Sequence, residues 1–135
     1  MKQKKNIEIL IYVLFPMIIG IIIYLTSRSN SIIFLKFLNL SFKKIDFAHW
    51  IKYNLVDGLW AFSISMLIQI IWDWKLNLQS LFWLIVVFLI SIFLEFKIGT
   101  FDIKDLIFII LGLFIPFVLT LLININNNNY EQKII

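Results

Sequence analysis

Asp46, His49, Tyr53 and Asp57 are spaced by three, four and four residues, so a helix covering positions 46–60 carries all of them on one stripe. Two carboxylates, an imidazole and a phenol in line supply hydrogen-bond donors, acceptors and a group that titrates near neutral pH. Glu95 is the second notable carboxylate, because it closes a long apolar run. In the last turn of a helix it opposes the macrodipole, at a cost of about 0.3–1 kcal/mol. Such a group needs compensation, either from a cation (Lys97, Lys104 or Arg28) or from a polar pocket shared with Asp57 or His49. Carboxylates that face one another raise each other's proton affinity, which suits acid–base chemistry or cation binding. Gly99–Asp105 reads as a tight turn into a helix, with Thr100 or Asp102 as N-cap and Asp105 in the first turn. Capping alone accounts for these residues, as headgroup-level placement beside Trp50 and Trp60 accounts for His49 and Tyr53.

The elements that carry these side chains follow from hydropathy. In 135 residues, 61% are hydrophobic, and the mean hydropathy is +0.96. A soluble domain of this length cannot hide that much apolar surface in one core. Four windows are long enough to cross a hydrocarbon layer: Ile7–Thr26, Leu55–Trp72, Leu78–Phe96 and Lys104–Ile125. The expected fold is therefore all-α and integral to a membrane, a single four-helix transmembrane domain over residues 1–125 followed by a polar, disordered tail at 126–135. The one long connection, Ser27–Asn54, mixes Arg28, Lys36, Lys43, Lys44 and Lys52 with Ile32, Phe34, Phe37 and Phe42. It reads as an interfacial segment lying on the membrane between helices one and two. The first window follows Lys2, Lys4 and Lys5 without a small-residue cleavage site after it, so it is expected to stay attached as a span. Asp73–Asn77 is short enough to make the second and third spans an antiparallel hairpin.

Four crossings put both termini on one side and gather Asp46, His49, Tyr53, Asp57, Glu95, Asp102 and Asp105 on the other. Five of the eight acidic residues and the one histidine thus share an interface, and those seven positions form the candidate polar pocket. Basic residues divide almost evenly between the two sides. The lysine cluster ahead of the first span favours cytoplasmic termini in a bacterial inner membrane.

Several function classes drop out. The chain has no cysteine and one histidine, so neither a disulfide framework nor a multi-histidine metal centre can be built. There is no HExxH, phosphate-binding glycine loop or nucleophile elbow, and no cofactor is implied. The net charge of +4 comes from residues that flank apolar runs, which fits headgroup anchoring and gives no nucleic-acid surface. The expected partners are membrane lipid and other membrane protein subunits.

Leu94–Glu95, then Gly99–Leu106, then Leu111–Gly112 resemble the C-terminal half of the VanZ-like membrane proteins, with Asp46 and His49 standing for the family's Asp and His ahead of its second span. Ile98 occupies the position where that family usually has glutamine. The resemblance implies a four-helix envelope protein; with the polar pocket, it suggests recognition of a lipid headgroup or lipid-linked envelope component. A noncatalytic subunit of a larger complex is the alternative, and an oligomeric pore is less favoured because Leu78–Phe96 holds only Ser80, Ser91 and Glu95 as strongly polar groups after Gln79.

The topology is open to a direct check. Reporter fusions at Ser29 and at the C-terminus should report opposite membrane sides; the same side for both excludes four crossings.

Overall fold

The computed structural model describes residues 2–28, 45–97 and 102–132, and these residues are helical apart from short connections. Four of the helices are long and apolar enough to cross a membrane, over Lys4–Ser27, Ile51–Ile71, Leu78–Lys97 and Ile103–Ile125. The first, α1, combines Lys2–Glu8 and Phe15–Arg28 in α geometry with Ile9–Leu14 in π geometry between them. The second, α2, opens with a π-helical turn at Ile51–Leu55 and continues as Val56–Ile71. Helix α3 is Leu78–Lys97, and α4 is Ile103–Gln132.

Helix α4 runs seven residues past the expected end of its span, so the backbone at 126–132 is helical where a disordered tail is expected. Adding a residue to an existing helix closes one hydrogen bond without a new nucleation cost. Of the expected interfacial segment, Ser27–Asn54, residues 29–44 lie outside the described residues, as do Gly99, Thr100 and Phe101; from His49 onward it is helical and leads straight into α2.

The π turn in α1 has a local cause. Pro16 has no amide hydrogen, and its ring crowds the carbonyl four residues back, that of Tyr12. Widening the preceding turn makes room: the Phe15 amide donates to Leu10, five residues back rather than four.

Helix α2 is the centre of the bundle. One core cluster joins it to α1 through Val13, Met66 and Ile70; a second joins it to α4 through Ala61, Ile109 and Leu113, with Val87 and Phe88 of α3 packed against the latter. In α3 itself, only Ser80 is buried. The approach of α2 to α4 is very close. A Cβ added to Gly112 would collide with the Gly58 carbonyl oxygen and lie 3.0 Å from the Phe62 nitrogen, while one added to Gly58 would sit 3.1 Å from the Phe108 oxygen. The two glycines therefore set the separation of the helices.

The α2–α3 turn is held by α1. Asp73 and Trp74 both take left-handed backbone angles, φ 53° and 57°, which costs a non-glycine residue on the order of 1–2 kcal/mol. The Trp74 amide donates to the Gln69 carbonyl at 2.8 Å. Its indole donates to Glu8 Oε2 at 3.3 Å and packs edge-on against Tyr12, while Lys5 pairs with Asp73 at 2.7 Å. At the other end of α1, the Ile45 amide donates to the Thr26 carbonyl and leads the chain back to α2. Asn77 and Ser80 then cap α3 reciprocally, with Ser80 N donating to Asn77 Oδ1 at 2.8 Å and Asn77 N donating to Ser80 Oγ at 3.2 Å.

Because the added methyl would meet backbone on two sides, Gly112→Ala should separate α2 from α4 and destabilise the bundle by about 1–3 kcal/mol. Denaturant titration of the purified protein measures it. An unchanged midpoint would mean that the seam is looser than the contacts indicate.

Candidate functional site

Helix α2 brings three of the predicted site residues into one graded line. His49 is exposed, while Tyr53 and Asp57 are half-buried as the helix enters the bundle. The His49 and Tyr53 rings lie 4.6 Å apart, and Lys52 Nζ sits 5.4 Å from the Tyr53 ring centroid. Asp46 does not join the stripe. Helix begins at His49, and Asp46 lies exposed in the nonhelical stretch ahead of it. The spacing of 46 to 49 has meaning as a shared face only if the helix extends through both positions.

Asp102, one of the two caps that the sequence offers for α4, caps the helix. Its Oδ1 accepts from the Lys104 amide at 3.0 Å, and its carbonyl accepts from the Leu106 amide at 3.3 Å. Asp105 follows in the first turn, half-buried, with Oδ1 enclosed. Glu95 is half-buried in the last turn of α3. Among the described residues, no ion pair joins it to Lys97 or Lys104 and no hydrogen bond joins it to His49 or Asp57. The site therefore divides into a line along α2, a helix start on α4 and a separate carboxylate on α3.

Sequence reasoning passed over the most deeply placed polar group at this end. Asn54 is 0% exposed, and neither atom of its amide has a hydrogen-bond partner. Gln69, at the other end of α2, is in the same condition. The two belong to one face of the helix, running Asn54, Gly58, Ala61, Ser65, Gln69 at intervals of four, three, four and four, all buried. That interval pattern is present in the sequence, but uncharged residues at helical spacing do not by themselves mark the face that another helix covers.

Contacts fix what this face meets. Gly58 lies against the Phe108 backbone, Ala61 against Gly112 and Ile109, and the Ser65 hydroxyl donates to the Leu113 carbonyl at 2.9 Å. Helices α2 and α4 run in the same direction, because an antiparallel α3 lies between them in the chain. One turn before Gly58 is Asn54, and one turn before Ile109 is Asp105. Both therefore stand on the facing sides of the seam, at the same end.

The buried hydroxyls behave differently from the amides. Ser27, Ser63 and Thr120 each donate to the carbonyl four residues back, Ser80 bonds within its own turn, and Ser65 crosses to α4. A serine or threonine can return its single proton to its own helix. An asparagine or glutamine amide has two donor hydrogens and an acceptor oxygen, and cannot be satisfied that way.

The chain matches no protein-family model, no curated protein and no solved structure. The seam geometry is accessible to chemistry, since the chain contains no cysteine. Asn54→Cys combined with Asp105→Cys should cross-link within one chain on mild oxidation, whereas Asn54→Cys with Thr120→Cys should not. Electrophoretic mobility before and after reduction reads the result; cross-linking only in the second pair would invert the register.

Proposed function

We propose that this is an integral membrane protein of the bacterial inner membrane, VanZ-like in architecture, which recognises a lipid headgroup or lipid-linked envelope component at the end of the bundle opposite its termini. The observation that carries this reading is the graded line His49, Tyr53, Asp57, which runs from exposed to half-buried along the central helix. A headgroup arriving at the interface meets an imidazole and a phenol in contact first, then a carboxylate further in. Aromatic side chains with a polar tip are suited to that level of a bilayer. Glu95 of α3 adds a second carboxylate to the same end.

A second reading has an observation of its own. Helix α3 leaves nearly its whole length uncovered, and it flanks an apolar groove of about 310 Å³ lined by Leu84, Phe88, Leu113 and Phe117 among others. Such a helix suits a subunit that docks within a larger membrane complex. A pore has less support, since the Ser91 hydroxyl is engaged by the Val87 carbonyl and Ser80 by its own cap.

Native mass spectrometry on the protein extracted with its lipids distinguishes these readings. Headgroup-selective lipid adducts are expected on the wild type, with adduct occupancy reduced severalfold by His49→Ala, Asp57→Asn and Glu95→Gln. Adducts that are equal in all variants, or a stoichiometric copurifying protein in their place, would overturn the headgroup reading and favour the subunit.

A further inference from the structure

We propose that the crevice at the start of α3 binds the phosphate of an anionic phospholipid. The site lies at the end of the bundle that carries the chain termini, since Lys5 and Glu8 of α1 reach the α2–α3 turn beside it. The inference therefore goes beyond the headgroup reading, which concerns the opposite end, and does not rest on it.

The crevice follows from spacing. Leu78 and Phe82, like Gln79 and Trp83, are four residues apart and share one side of α3. With Trp72, the residue that closes α2, they line a space of about 460 Å³. This side is turned away from the bundle, because the buried Ser80, and Val87 and Phe88 on the second core cluster, occupy the other. Leu78, Phe82 and Trp83 are accordingly exposed. From Leu78 to Trp83 the helix rises about 8 Å, so the crevice occupies the first turn and a half of a helix long enough to cross a membrane. That is the level at which headgroups meet acyl chains.

Hydrogen-bonding capacity decides the charge of the ligand. The Trp72 indole donates to Gln79 Oε1 at 3.1 Å, which engages the oxygen of that amide and leaves both of its protons over. Among the described residues, nothing accepts from Gln79 Nε2, from the Trp83 indole nitrogen, or from Lys75 Nζ, which is exposed in the same turn. The carboxylates nearby are engaged: Asp73 pairs with Lys5 at 2.7 Å, and Glu8 accepts from the Trp74 indole at 3.3 Å. An amide, an indole N–H and an ammonium, all of them donors, complement an anion. An interfacial belt of indoles accounts for Trp72 and Trp83 alone; it does not account for Gln79, held by one indole with its protons uncommitted beside another. The apolar part of the lining decides the source of the anion. Leu78, Phe82 and the ring faces of Trp72 and Trp83 offer surface to an acyl chain, which a free phosphate cannot use. A zwitterionic lipid would bring its own ammonium towards Lys75, so an anionic one fits.

Native mass spectrometry of the full chain in detergent, titrated with phosphatidylglycerol or with phosphatidylcholine carrying the same acyl chains, tests the site. The wild type should hold a phosphatidylglycerol adduct at severalfold higher occupancy than the phosphatidylcholine adduct at equal lipid. Gln79→Glu keeps the acceptor for Trp72 but exchanges the amide protons for negative charge, and Lys75→Gln removes the ammonium. Each should bring phosphatidylglycerol down to the phosphatidylcholine level with the thermal midpoint unchanged, since both side chains are exposed. The preference should persist in a variant combining His49→Ala, Asp57→Asn and Glu95→Gln, which removes the site at the opposite end. Equal occupancy by the two lipids in the wild type, a preference untouched by Gln79→Glu and Lys75→Gln, or displacement of the lipid by millimolar inorganic phosphate would each overturn the proposal. So would loss of the preference in the triple variant, which would assign the anionic lipid to the other end and leave the proposed function standing. Adducts unchanged in the triple variant but lost in Gln79→Glu would sink the proposed function and leave this site in place.

Discussion

The contact on which the rest of the bundle depends is the crossing of α2 and α4 at Gly58 and Gly112. With no side chain on either residue, backbone meets backbone, and dispersion contacts accumulate over a short interhelical distance. Helices that would cross a membrane gain little from the hydrophobic effect once there, since lipid tails are as apolar as the side chains they would displace. Close packing and interhelical hydrogen bonds must supply the association. The crossing provides the first and Ser65 to Leu113 the second. Pro116 lies just beyond, fully buried. Its missing amide hydrogen frees the Gly112 carbonyl, so α4 is locally weakened where α2 supports it.

This central pair explains why the other two helices are attached so differently. Helix α1 is held along its length, with Gly20 against the Trp60 indole, Val13 in a core cluster with Met66 and Ile70, and its first turns tied to the α2–α3 turn by Glu8 and Lys5. The Lys5–Asp73 pair is exposed, and a surface ion pair contributes little by itself; the Trp74 side chain, packed among apolar residues, is the stronger element. Helix α3 has no comparable attachment. It touches the second cluster through Val87 and Phe88 and leaves most of its remaining surface uncovered.

Hydropathy and capping chemistry determined much of this from sequence alone. Four apolar windows gave the spans to within a few residues, because crossing length is set by bilayer thickness and not by packing. Asp102, one of the two caps expected for α4, was legible because capping depends on local backbone requirements. The pairing of His49 with Tyr53 followed from a four-residue interval, which stays on one face even where the turn widens.

Only the tertiary structure decided which polar residues are buried. Asp46 and His49 have the same standing in a spacing argument, yet the helix starts between them. Glu95 and Asp105 are both half-buried carboxylates near helix ends, but α4 packs closely against the central helix whereas α3 has a single buried residue, Ser80. Asn54 was invisible for a related reason. A single uncharged amide before a glycine carries no signal until the facing helix is in place, and its burial is a property of two surfaces together. Sequence periodicity specifies one helix face at a time; which face another helix covers depends on how closely their backbones can approach, and here that was set by two glycines far apart in the chain.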